Sequence, residues 1–313
     1  MKQLFYILSL IVVSTVIFSC EKDIFIDTPT TDSQLSVEGW IYNGESPIVL
    51  LSSTFPAYGS FDLLELIDSL YLSGANVSVE SNGQVHQLQE LKLSQIPQNQ
   101  QAQVVELFQF PAIATLIFGN MPVYTDTTGT LIGQIGNQYK LNIEYEDFIL
   151  SANTTIPFPL GQVDSLTYRI EEDIDTLATV FLNITVPNIT DGFIRYATKR
   201  NAEPFLFPSI TGSVFDSGVF AGERLKLPVE RGYSRLDTVN REIEEFGLFV
   251  VGDSVTVRWQ NIDRATYDFW YTIENDGGAT PFSNPTTIKS NIKGGLGIWA
   301  GYTNTFYSVF IED

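Results

Sequence analysis

The chain has 313 residues with 37 acidic against 17 basic side chains, a formal net charge of -20, and 44% hydrophobic and 13% aromatic residues. So much apolar content excludes a disordered chain, and so acidic a surface repels nucleic acid and anionic membrane, which excludes both as charge-driven partners. The single cysteine, Cys20, excludes internal disulfides, so the fold must rest on core burial.

Residues 1–19 read as a secretory leader, with basic Lys2, an apolar run from Leu4 to Phe18, and small Ser19 before Cys20. A spanning helix needs about 20 apolar residues, and this run is shorter and stops at Ser19-Cys20-Glu21-Lys22-Asp23. The stretch Ile17-Phe18-Ser19-Cys20 resembles the bacterial lipobox, in which the cysteine takes a diacylglycerol and the new amino terminus an acyl chain such as palmitate. Glu21-Lys22-Asp23 resembles the surface-export signal of Bacteroidota lipoproteins. Cys20 is therefore the expected lipidation site, and the expected location is the outer membrane, lipid-anchored and facing the exterior. Several acyl chains on one residue meet the requirement that stable anchoring takes more than one.

Residues 20–33, with Pro29 and Thr30-Thr31-Asp32-Ser33, read as a lipidated tether. Period-two alternation then begins at Leu35, Val37 and Ile41, and Pro47 to Leu51 follows as a second strand after Asn43-Gly44-Glu45. Phe61 to Leu72 reads as a short helix or loop. Ala75 to Glu80 and Gln84 to Leu88 form a hairpin across Ser81-Asn82-Gly83, where Asn-Gly supplies the positive φ of a tight turn. Gln95 to Gln103 reads as an exposed polar loop. Gln138 to Tyr145 and Phe148 to Ile156 pair around Glu146-Asp147, and Pro157 and Pro159 end the sheet.

Strands resume at Ser165 to Ile170, Thr179 to Val186 and Gly192 to Arg200. Pro204 to Arg235 is an irregular excursion whose Phe205, Phe207, Phe215 and Phe220 need burial or a partner. Gly247 to Trp259 returns to strand, Asn261-Ile262-Asp263 opens a helix over Ala265 to Glu274, and Ile298 to Tyr302 and Phe306 to Ile311 close the chain as strands. The expected class is mainly β: two successive Ig-like or β-sandwich-like domains, 34–160 and 161–313, with one short helix in the second.

No catalytic, cofactor or metal motif is present. His86, the sole histidine, would have to serve any Ser-His-Asp arrangement, and there is no G-x-S-x-G elbow or phosphate loop. Glu171-Glu172-Asp173-Ile174-Asp175 and Glu242-Ile243-Glu244-Glu245 offer carboxylates, and glycoside hydrolysis needs only two, about 5 to 9.5 Å apart. Asp173 and Asp175 lack the glycine and terminal glutamate of a calcium loop. Trp40, Trp299 and Tyr302 are candidates for stacking a glycan or peptide ligand if exposed. Six Asp-Ser/Thr-apolar triplets, from Asp68, Asp126, Asp164, Asp175, Asp237 and Asp253, resemble the Bacteroidota O-glycosylation acceptor, although Asp-Ser and Asp-Thr also simply turn a chain into a strand.

Phe282-Ser283-Asn284-Pro285, Ser290-Asn291-Ile292-Lys293-Gly294-Gly295-Leu296-Gly297 and Ile298-Trp299-Ala300-Gly301-Tyr302 resemble the closing signature of an uncharacterised family of Bacteroidota surface lipoproteins. Val37-Glu38-Gly39-Trp40-Ile41, Gly74-Ala75-Asn76-Val77 and Phe215-Asp216-Ser217-Gly218-Val219-Phe220-Ala221-Gly222 extend the resemblance along the mature chain. It implies a gene beside a TonB-dependent outer-membrane receptor and no known catalytic residues. The expected function is a non-enzymatic accessory for ligand capture or receptor docking, with the 204–235 excursion and its Arg224, Arg231 and Arg235, or neighbouring second-domain loops, as the docking surface. An adhesive or structural surface protein and a carboxylate-based glycoside hydrolase are the alternatives. The glycines from Gly294 to Gly301 admit positive φ or close backbone approach, in a strand bend or in a binding role.

Overall fold

The computed structural model describes residues 33–54, 70–108, 118–208, 211–233, 247–275 and 287–312. They belong to one compact unit, Ser33–Asp313. The leader, Cys20, nearly all of the tether, most of Phe61 to Leu72, Glu242 to Glu245 and Phe282 to Pro285 lie outside them.

The first half carries β1 (Leu35–Tyr42), β2 (Ile48–Ser53), β3 (Asn76–Ser81), β4 (Gln84–Gln87), β5 (Gln89–Lys92), α1 (Gln98–Phe108), β6 (Pro122–Thr125), β7 (Gln138–Tyr145) and β8 (Phe148–Thr155). The second carries β9 (Gln162–Ile170), β10 (Leu177–Thr185), β11 (Phe193–Arg200), β12 (Val214–Asp216), β13 (Arg224–Val229), β14 (Phe249–Val250), β15 (Ser254–Ile262), α2 (Arg264–Glu274) and β16 (Leu296–Phe310). The fold is mainly β, as expected. No helix among the described residues is long and apolar enough to cross a membrane.

An eight-stranded sheet runs β12-β11-β15-β16-β1-β2-β6-β5. Every pair in it is antiparallel except β1 with β16, which run parallel from Ser36 opposite Leu296 to Tyr42 opposite Tyr302. The expected boundary near Pro157 to Leu160 is where one small sheet ends and another begins. The large sheet spans it: β12, β11, β15 and β16 form one half and β1, β2, β6 and β5 the other, joined at the β1–β16 pair, so 34–160 and 161–313 share one sheet. Sequence alternation reports which face a residue takes and says nothing of the strand beside it, so this closure was invisible locally.

Two four-stranded sheets pack on one face of the large sheet. β4-β3-β7-β8 covers β1 and β2, enclosing Val37, Ile41, Leu51, Val79, Leu141, Ile143 and Trp299. The sheet of β9, β10, β13 and β14 covers β11 and β15, enclosing Val180, Leu182, Ile194, Val257, Trp259 and Phe249. The opposite face carries the two helices, which bury Trp40, Ile48, Leu50, Val104, Val105, Phe193, Ile262, Phe269 and Tyr302. Both faces of the centre are thus covered, which explains near-continuous burial in β2 and β15.

Local chemistry accounts for the main elements. The β3–β4 hairpin turns at Asn82 and Gly83, with φ of 52° and 75°, the paired positive values of a tight hairpin. Asp263 caps α2 by accepting from the Thr266 N–H at 2.8 Å. Its other oxygen accepts from the Thr154 hydroxyl at 2.8 Å, and Thr154 in turn accepts from the Gly301 N–H at 2.7 Å. A cap therefore ties α2 to β8 and β16 together. The expected loop at Gln95 to Gln103 is instead largely the start of α1. Glutamine is a good helix former, and Val104 and Val105 anchor the helix by burial.

β16 continues unbroken where two strands were expected. Its Gly297 has φ of +100°, and a Cβ there would lie 1.9 Å from the Val37 carbonyl oxygen. Close approach of β1 and β16 accounts for this glycine.

Candidate functional site

The helix-bearing face of the large sheet holds a cavity of about 280 Å³, lined by β1, β11, β15, β16, α1 and α2 together with Phe207. Two arginines project into its wall from neighbouring strands, since Arg195 and Arg258 fall on the same face of the β11–β15 ladder. They are only 5% and 4% exposed. Burying a guanidinium is costly unless it is paired and hydrogen-bonded, and each is compensated in its own way.

Arg195 is clamped between rings, its guanidinium carbon 3.7 Å from the Phe207 centroid and 3.5 Å from that of Trp270. Its Nε donates to Ser213 Oγ at 3.0 Å, and Ser213 donates from both its N–H and its hydroxyl to Glu274. Burial pushes the Arg195 guanidinium down from its ordinary value, opposed by the nearby Tyr302 and Glu274.

Arg258 donates from Nη1 to Glu106 of α1 at 2.6 Å and lies 4.6 Å from the Phe205 centroid. Burial alone would lower this guanidinium, but the charge and hydrogen bond of Glu106 together with the nearby Tyr42 and Tyr302 outweigh it, and the net direction is up. Its Nε, shielded from solvent, makes no hydrogen bond among the described residues.

The remaining wall is aromatic and half polar. Trp270 donates from Nε1 to the Tyr302 hydroxyl at 2.9 Å, and Tyr42 meets Tyr302 edge to face at 5.3 Å. Burial pushes both phenols above their ordinary range, so they stay neutral at physiological pH. Trp40 donates to Gln103 at 3.0 Å, and Gln103 donates on to Glu45, so α1 is fixed to the sheet by polar side chains as well as by its valines.

A family model described as a domain of unknown function (DUF4249) matches residues 21–308. The chain belongs to the DUF4249 family. Among curated proteins, none matches the chain. The family match covers the described residues of the DUF4249 chain almost entirely.

The residues singled out from sequence fall in several places. Trp40 and Tyr302 are buried and reach the cavity; Trp299 is fully buried between sheets, its Nε1 donating to the Tyr139 carbonyl at 3.0 Å. None of the three is the exposed stacking platform considered from sequence. His86 lies 3.3 Å from the Thr130 hydroxyl, which meets Thr128 at 2.8 Å, and Thr128 donates to Asp126. Two hydroxyls thus separate the imidazole from the carboxylate, unlike a triad in which the histidine joins the two.

Asp173 and Asp175 are exposed, and no group of three His, Cys, Asp or Glu side chains suited to a metal occurs among the described residues. In the four described Asp-Ser/Thr triplets, Thr127, Ser165, Thr176 and Ser254 are all exposed. In the 204–235 excursion, Phe205 and Phe207 cover Arg258 and Arg195, and Phe215 packs on Trp259 at 5.3 Å. These rings serve the cavity and the core. Only Phe220 of the four phenylalanines is exposed, Arg224 is exposed on β13, and Arg231 pairs with Glu203.

Arg195, Arg258, Glu106, Glu274 and Trp270 were not singled out as a site from sequence. The available signal was an arginine directly flanked by core residues of a strand, as Arg258 is between Val257 and Trp259.

Proposed function

We propose that this DUF4249 chain is a non-enzymatic, surface-exposed outer-membrane lipoprotein, anchored through Cys20, that captures a small ligand in the helix-face cavity and serves a TonB-dependent receptor. The observation that carries the capture reading is the pair of buried guanidiniums, both in the wall of one cavity. Buried ion pairs contribute little to stability compared with apolar packing, so their concentration here favours recognition over support. A mostly apolar concavity with a few converging polar groups is the usual form of a ligand site. The lipoprotein and receptor parts rest on the leader, on Cys20-Glu21-Lys22-Asp23 and on the resemblance of the closing motifs.

Mass spectrometry of the N-terminal peptide, with protease treatment of intact cells, tests the anchor and its side of the membrane. An acylated Cys20 and loss of the protein from protease-treated cells are expected. An unmodified terminus, or full protection on cells whose other surface proteins are digested, overturns the lipoprotein reading. Native extraction from outer membranes should co-isolate a TonB-dependent barrel, and its absence from a stable extract overturns the receptor part.

A further inference from the structure

We infer that the helix-face cavity takes a small zwitterion, a free α-amino acid or very short peptide with an aromatic or large aliphatic side chain. This rests on the capture reading and names its ligand class. Three features of the cavity converge on it.

The first is a donor without an acceptor. Arg258 spends Nη1 on Glu106, while its buried Nε has no hydrogen-bond partner among the described residues. A guanidinium presents paired donors that match the two oxygens of a carboxylate. A ligand carboxylate that displaces the packing over Nε supplies the acceptor this donor lacks, without requiring Glu106 to leave.

The second is charge balance. Glu38 and Glu106 line the same cavity as Arg195 and Arg258, and Glu274 lies 4.0 Å from Arg195. A ligand carrying only negative charge meets the carboxylates, and one carrying only positive charge meets two guanidiniums. A zwitterion places each end against its complement. Half-buried Glu38, on the opposite face of β1 from Val37, is the natural partner for the ammonium.

The third is size and lining. About 280 Å³ lies at the lower end of ligand pockets, roughly 300 to 1,000 Å³. That volume holds one or two residues and does not enclose an oligosaccharide chain. Trp40, Phe269, Leu107 and Ile298 line the cavity and supply an apolar pocket for the ligand's side chain.

Isothermal titration calorimetry on the full chain in detergent tests this with five probes: L-phenylalanine, L-alanyl-L-phenylalanine, phenylalaninamide, 3-phenylpropionate and cellohexaose. Phenylalanine or the dipeptide should bind, and the two phenylalanine analogues lacking one charge should bind at least tenfold more weakly than phenylalanine. Arg258→Lys keeps the charge but removes the fork and should weaken carboxylate-bearing probes tenfold. Because Arg258 is buried, Glu38→Gln at the half-buried rim provides an independent reading: phenylalanine should lose its advantage over 3-phenylpropionate while the latter's affinity holds. Equal binding of phenylalanine and 3-phenylpropionate by the unaltered protein overturns the inference. Binding of cellohexaose alone overturns it too but leaves ligand capture standing. No binding of any probe, with no heat from a complete peptone digest, removes both.

Discussion

Replacing Glu106 by alanine isolates the energetics of the cavity. The change removes the carboxylate 2.6 Å from Arg258, in a pair whose side chains are 12% and 5% exposed. Arg258 then loses its Nη1 acceptor while its Nε already lacks one. The Phe205 ring at 4.6 Å and the Phe207 ring at 5.8 Å remain against it. Breaking a buried pair costs about 3 to 5 kcal/mol because the surviving charge is stranded. Water entering the adjoining cavity can solvate part of the guanidinium, which places the expected loss near 3 kcal/mol, the low end of that range. Removing both charges in Glu106→Leu with Arg258→Met should restore most of this loss, since apolar replacement of a whole buried pair is often neutral. Urea unfolding followed by tryptophan fluorescence measures all three proteins, with an unchanged slope required for comparison. A loss below about 1 kcal/mol for Glu106→Ala, the worth of a surface pair, refutes the reasoning. So does a double variant no more stable than the single one.

Gly297→Ala should cost more than 3 kcal/mol or prevent folding, since it adds a Cβ 1.9 Å from the Val37 carbonyl oxygen at a φ of +100°; soluble yield and thermal unfolding measure it, and a near-normal midpoint counts against the tight β1–β16 approach. Asp126 is buried, and burial alone would raise its carboxyl, but donation from the Thr128 hydroxyl and from the Leu131 and Thr128 N–H groups holds it below its ordinary value. Its stabilisation is therefore present above the unfolded value of about 3.9 and is lost as pH falls through the lower folded one. Asp126→Asn should cost about 2 kcal/mol at pH 7, the scale of hydrogen bonds to a charged group, and should reduce the acid-induced loss of stability below about pH 4; an unchanged acid limb rules this out. Asp263→Ala removes the cap on Thr266 along with acceptors for Thr154 and Thr155 and should cost about 2 to 3 kcal/mol, more than a cap alone at about 1; a loss within the cap's own range separates α2 from the β8 link.

Sequence periodicity made the antiparallel hairpins legible. β7 begins and ends at Gln138 and Tyr145 as the alternation of Tyr139, Leu141 and Ile143 requires, and Asn82-Gly83 announces its own turn. Helix α2 was legible from Asp263 and the spacing of Tyr267, Trp270 and Tyr271. The β1–β16 pair was not, because its partners are separated by most of the chain and neither strand's alternation names its neighbour. Helix α1 was obscured because a run of glutamines carries no amphipathic pattern until Val104. The cavity was hidden for the same reason as the large sheet. Arg195 and Arg258 become neighbours only when β11 pairs with β15, and Phe207 reads as a stray ring until it lies over Arg195.

The position of β1 also decides how the fold responds to mechanical load. Any pull transmitted along the chain before Ser33 enters at the first residues of β1, which lies between β16 and β2 in the interior of the large sheet. Its hydrogen bonds to both neighbours run across the strand, so tension along β1 loads the two ladders in shear. They must slip together and cannot be unzipped one bond at a time. Extraction of β1 also draws Leu35, Val37 and Ile41 out of one core and Trp40 out of the other. The first strand thus resists tension along the chain more strongly than an edge strand would.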